Sequence, residues 1–142
     1  MTLSRFRCSL ATATVNETVE SAAMTMRDRD VGCLVVTREG RPAGIVTDRD
    51  LVLRVVASGL DASAVRVGEF VTFDPLTVSE KDGIETAAER MRKHGVRRLP
   101  VVDNRGLAVG IVTADDLLME LGRQIGAVCE AIENTARLEE RH

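Results

Sequence analysis

"GIVTDRDL", residues 44–51, returns as "GIVTADDL" at residues 110–117, with Gly, Ile, Val, Thr, the last Asp and Leu unchanged. Each copy joins an apolar, β-branched run to an acidic stretch, the pattern of a strand passing into the start of a helix. An offset of 66 in a chain of 142 residues divides it into two halves. The fold is decided by how far the repeat reaches on either side of these eight residues.

It reaches almost everywhere. Val19, Ala22, Ala23 and Met26 match Ile84, Ala87, Ala88 and Met91, each 65 residues on. The spacing puts each set on one stripe of a helix. Ahead of the helices stand β-like segments, "TATV" at 12–15 and "PLTV" at 75–78. Behind them come buried-strand runs, "VGCLVV" at 31–36 and "VRRLPVV" at 96–102, where an extra Pro100 is read as changing the offset from 65 to 66. Seven-residue connections follow, "TREGRPA" at 37–43 and "DNRGLAV" at 103–109, with the Gly and polar residues of a turn between antiparallel strands. Each half therefore reads strand, helix, strand, strand, helix: an α/β fold. Residues 59–74 carry the linker, with a short helical turn expected around Val67 to Val71. The division is 1–66 for the first motif with its N-terminal segment, 67–121 for the second, and 122–142 for a C-terminal helical extension.

Composition narrows the function classes. Trp and Tyr are absent and Phe occurs three times, so the core is aliphatic. The net charge of −3 gives no global attraction to nucleic acid or an anionic membrane. Cys8, Cys33 and Cys129 have none of the paired spacings of a zinc site or a disulfide framework, and read as a reducing, cytoplasmic set. The sequence lacks a membrane span and a signal-peptide core, so the whole chain is taken as mature cytoplasmic protein. His94 and His142 stand in no nucleophile pattern, so no catalytic triad or metal cluster is expected and the chain is read as non-enzymatic.

The order β-α-β-β-α, the twice-repeated Gly-apolar-x-Thr-x-x-Asp, and "VRRLPVV" ahead of it resemble the tandem cystathionine β-synthase (CBS) domain pair of the stand-alone bacterial type, over about residues 10–120. The resemblance implies one module of two motifs in pseudo-twofold arrangement. It also implies clefts between them for an adenosine-containing ligand: AMP, ADP, ATP, NAD or S-adenosylmethionine, with AMP or ATP favoured and no required cofactor. Modules of this family often pair into a flat dimeric disc and regulate an enzyme or transporter. A homodimer acting in trans on a partner protein is the expectation here.

Thr47 with Asp50, and Thr113 with Asp116, have the spacing of a helix capping box, which explains the motif without any ligand. The same geometry suits a nucleotide. A carboxylate in the first helical turn offers two acceptor oxygens to a ribose, and the helix end favours a phosphate. The resemblance assigns ribose recognition to Asp50 and Asp116, phosphate or ribose contact to Thr47 and Thr113, and phosphate contact to Arg97 or Arg98. Strand alternation predicts that only one of the two arginines faces the cleft. The first half has Gly32 and Cys33 at those places, so the Asp116 cleft is expected to prefer phosphorylated ligands.

Two other readings stand beside this one. In a ligand-free dimeric scaffold, Thr-x-x-Asp would only cap helices. A nucleic-acid module would use Arg90, Arg92, Lys93, Arg97 and Arg98, but without Trp or Tyr to stack on bases. The tail repeats Leu118, Leu121, Ile125, Val128 and Ile132 at heptad-like spacing, with Gly122 and Gly126 as points of close helix approach. The stripes Val19/Ala22/Met26 and Ile84/Ala87/Met91, with Leu51, Val52, Val55, Leu117, Leu118 and Leu121, are expected to supply the dimer face.

Overall fold

Thr18 holds an extended backbone and its hydroxyl oxygen accepts the Ser21 N–H at 3.1 Å, so helix α1 (Val19–Arg29) starts there. It ends where Asp30 turns left-handed at φ 51°. The second-half counterpart, α3 (Ile84–His94), ends on a left-handed Gly95. The computed structural model describes residues 1–8, 10–71 and 75–141. The end of the linker and His142, both read from sequence above, lie outside the described residues. Two three-stranded sheets form. In one, β1 (Thr12–Thr14), β2 (Cys33–Arg38) and β3 (Arg41–Thr47) lie in sequence order; in the other, β4 (Val78–Ser79), β5 (Arg98–Val102) and β6 (Ala108–Thr113) do the same. The outer pair is parallel and the hairpin antiparallel in both.

The register corrects the expectation about Pro100. It pairs with Ile111 as Val35 pairs with Ile45, so it replaces a residue and inserts none. The extra residue lies in the second hairpin, where Val101 pairs with Gly110 while Val36 pairs with Gly44. The first hairpin is tighter than its seven-residue connection suggested, because the strands run into it. Only Glu39 and Gly40 turn, both at positive φ (53° and 78°), the two-residue hairpin geometry. The second uses residues 103–107, organised by the Asp103 carboxylate, which accepts the N–H groups of Arg105 and Leu107 at 2.9 and 3.0 Å. Pro100 has a further effect. The Val35 N–H donates to the Ala11 carbonyl at 3.2 Å, a bond that proline cannot make. Pairing with β4 accordingly starts one residue later, at Val78 opposite Val101, whereas β1 pairs from Thr12 opposite Val35.

Each half has its own core, and each core takes one residue from a turn that precedes the other half. Leu3, in a 3-10 turn at Leu3–Phe6, is fully buried among Val78, Ala87, Leu99, Val101 and Val112 of the second half. Val67, in the expected linker turn (Val67–Phe70), is fully buried among Val19, Ala22, Leu34 and Val46 of the first. The repeated glycine of the opening motif marks where these segments cross. A Cβ on Gly44 would sit 2.8 Å from Val71, and one on Gly110 would collide with the Phe6 carbonyl.

Thr47 and Thr113 start the last helices. Helix α2 (Asp48–Leu51) widens into a π-helical stretch, Val52–Val56, while α4 runs unbroken from Ala114 to Glu140. Residues 121–141 are exposed throughout, and a Cβ on Gly122 or Gly126 would meet nothing within 4 Å, so no helix among the described residues approaches those glycines. The proposed dimer stripes are also corrected. Val19, Ala22, Met26, Leu51, Val55, Ala87, Met91 and Leu117 are buried in their own cores. The exposed apolar residues along the π-helical stretch are Val52, Leu53 and Val56, and those near the start of α4 are Leu118, Met119 and Leu121. No helix among the described residues is long and apolar enough to cross a membrane.

Candidate functional site

Both Thr-x-x-Asp motifs are complete capping boxes. Thr47 Oγ1 accepts the Asp50 N–H at 3.1 Å and Asp50 Oδ2 accepts the Thr47 N–H at 2.9 Å. Thr113 and Asp116 repeat this at 3.1 and 3.0 Å. The caps fix all four side chains, half-buried, at the ends of β3 and β6. Each aspartate commits Oδ2 to its cap, and Oδ1 makes no hydrogen bond among the described residues.

Beside the second cap lies a cleft of about 260 Å³ lined by Arg97, Arg98, Thr113, Ala114 and Asp115. Both arginines line it, which corrects the expectation that alternation would turn one away. Strand β5 begins at Arg98, so Arg97 precedes the pleat and is free to point the same way. Arg97 donates to Asp115 Oδ1 at 3.2 Å with both side chains about three-quarters exposed (76% and 77%). Such a pair is weak and open to exchange with a stronger anion. Arg98 has no ion pair among the described residues.

Ile111 and Thr113 share a face of β6, since the intervening Val112 is buried in the second core. Ile111 lines a second pocket of about 200 Å³ with Cys8, Leu10, Ala11, Val31, Cys33 and Val35. Its walls come from both halves and are almost wholly apolar side chains and thiols. Sequence reasoning sets Cys33 beside the first motif but does not bring it together with the other six; the signal for that is that Ile111 and Thr113 alternate within one strand. Burial pushes the Cys33 thiol above its ordinary range; the Arg98 guanidinium pulls it down and the Asp48 carboxylate pushes it further up.

Arg90 and Arg92 of the basic run are tied down. Arg90 donates to the Thr77 carbonyl and Arg92 pairs with Glu89. His94 closes α3 with Nδ1 3.0 Å from the Arg90 carbonyl. Among the described residues no group of three or more His, Cys, Asp or Glu side chains is placed to hold a metal ion.

Two capped β-α-β-β-α units, the second with a polar cleft at its strand end, define a tandem α/β module, and comparison with known proteins assigns it. The CBS domain profile matches residues 6–57 and 67–123, and the chain belongs to that family. The Methanopyrus kandleri protein MK0525 is 36% identical over 113 residues, 79% of this chain, which spans only 58% of that relative's length. Among solved structures, Hypoxic Response Protein I with two coordinated zinc ions superposes with a TM-score of 0.74 at 31% identity, covering 84% of this chain and 98% of the other. The CBS domain protein PAE2072 from Pyrobaculum aerophilum complexed with AMP gives 0.70 at 29% identity, covering 87% and 99%. CBS-pair proteins are regulatory modules.

Proposed function

We propose that the chain is a non-catalytic sensor that binds an adenine nucleotide, AMP or ATP foremost, between its two motifs and passes the occupancy to a partner protein. The observation that carries this reading is the continuity along β6. An apolar slot for a flat base at Ile111 adjoins a polar cleft at Thr113 with two guanidinium groups for phosphate. The AMP bound to PAE2072 supports the same class of ligand. In this reading Asp116 Oδ1 accepts from the ribose, Thr113 and Ala114 border the phosphate, and Arg97 and Arg98 neutralise it. Asp50 and Thr47 offer the corresponding ribose contacts in the first half. Because the slot has walls from both halves, a ligand there biases their relative arrangement by its differential affinity for the available arrangements.

Isothermal titration against AMP, ADP, ATP, NAD and S-adenosylmethionine tests the reading. Asp116→Ala should weaken AMP at least tenfold and Asp50→Ala much less. Replacing both arginines should weaken AMP or ATP far more than adenosine. The completeness of both capping boxes favours one other reading, a scaffold in which the motif only caps helices. It predicts no heat with any ligand and a loss of about 1 kcal/mol in stability for either aspartate.

A further inference from the structure

Asp48 and Ala114 occupy one place in two copies of the same turn. The Asp48 N–H donates to the Gly32 carbonyl at 3.0 Å, and the Ala114 N–H donates to the Arg97 carbonyl at 2.8 Å. Both follow a capping threonine and both open a helix. The backbone frame is thus repeated while the charges differ. In the second half the frame carries Arg97, Arg98 and Ala114, which together line an open polar cleft. In the first it carries Gly32, Cys33 and Asp48.

The Asp48 carboxylate also lies over the strand start. A Cβ built on Gly32 would be 3.4 Å from Asp48 Oδ2 and 3.9 Å from Oδ1, so the carboxylate stands beside the point from which the arginine side chain departs in the other half. Its Oδ1 accepts the Arg49 N–H at 2.8 Å. One backbone donor that a ligand oxygen could use at that helix start is therefore already taken by an anion of the protein itself. At the equivalent place Ala114 has no polar side-chain atom and leaves the cleft open.

From this pairing we infer that Asp48 is a specificity-determining residue: it closes the first cleft to phosphate, so that one phosphorylated nucleotide binds per chain, at the Ala114 side. The inference rests on the nucleotide-binding reading above. A phosphate brought to the strand start of the first half would meet the Asp48 carboxylate and no arginine of that strand, the Arg98 guanidinium reaching Cys33 only from the other half; at the second it meets two guanidinium groups and a methyl. Like charges in contact oppose binding as strongly as opposite charges favour it.

The test is titration of AMP into the wild-type chain, Ala114→Asp and Ala114→Asn, with circular dichroism to confirm folding. Aspartate in the first turn of a helix is favourable, so Ala114→Asp should fold. The wild type should bind one AMP per chain. Ala114→Asp should bind at least tenfold more weakly than Ala114→Asn, and that gap should narrow as salt rises from 0.05 to 0.5 M, because the effect is one of charge. Two AMP molecules of similar affinity per wild-type chain, or equal losses in the Asp and Asn variants, would overturn the inference and leave the nucleotide reading intact. Absence of AMP binding to the wild type would instead remove that reading, and this inference with it.

Discussion

Arg5 and Glu120 form an ion pair of 2.7 Å that ties the first turn of the chain to helix α4, at the opposite end of the repeat. The Glu120 side chain is 6% exposed and also holds Arg123 at 3.2 Å. Arg5 shares its turn with Leu3, which inserts into the second core. Leu3→Ala should therefore destabilise the protein by about 3 kcal/mol, the cost of a large-to-small change in a packed site. Arg5→Ala should cost at most about 1 kcal/mol, because Arg5 is partly solvated and Arg123 keeps the carboxylate paired. Urea unfolding checks both through the midpoint at constant m-value. A Leu3→Ala midpoint equal to wild type would show that the turn is not part of that core.

Asp103 gives the second hairpin its pH dependence. Burial pushes its carboxyl up, but the N–H groups of Leu107 and Arg105 and the Arg105 guanidinium outweigh that and hold it below the ordinary carboxylate range. A folded pKa below the unfolded one stabilises the protein above the unfolded value, and that stability is lost as pH falls through the folded value. The Tm gap between wild type and Asp103→Asn should be constant near neutrality and close as pH drops below about 4. A gap independent of pH between 7 and 2 would contradict this.

Thiol chemistry should separate the three cysteines. Cys8 and Cys129 are exposed, whereas Cys33 is half-buried with its pKa raised by burial, so it carries less thiolate at neutral pH. Iodoacetamide at pH 7.5 should modify Cys129 first and Cys33 last, and the Cys33 rate should keep rising at pH values where an exposed thiol has levelled off. Saturating AMP should slow Cys33 further, since Cys33 lines the apolar slot. Peptide mass mapping over time reads all three rates.

Self-association should use the exposed apolar residues and spare the buried stripes. Val52 is 54% exposed, Leu53 51%, Val56 71% and Leu118 70%. Sedimentation at micromolar concentration should report about twice the 15.4 kDa chain mass. Val52→Glu with Leu118→Glu should return it to the mass of one chain, because charges at a packed face are strongly disfavoured. A wild-type monomer would remove the dimer.

The Pro100 register shows where one-dimensional reading stopped. A proline inside an apolar run looks like an inserted residue. Pairing to Ile111 shows instead that the run keeps its phase and that the added residue sits in the hairpin. Sequence spacing alone does not distinguish the two, because hydrogen-bond register is a relation between strands. The Thr-x-x-Asp caps were legible at once, since a cap is made within four residues. The second arginine of the cleft was not, because its direction depends on where β5 begins.

By itself, then, the sequence determined the duplication, the α/β order of each half, the two caps and the unequal charges beside them. All are set by local periodicity and residue chemistry. Only the tertiary structure decided that Leu3 and Val67 pack into each other's halves and that Ile111 joins a slot walled by Val31 and Val35. It also set Asp48 over Gly32. These contacts join residues tens of positions apart, and their energies come from burial and charge proximity that exist only once both sheets are assembled.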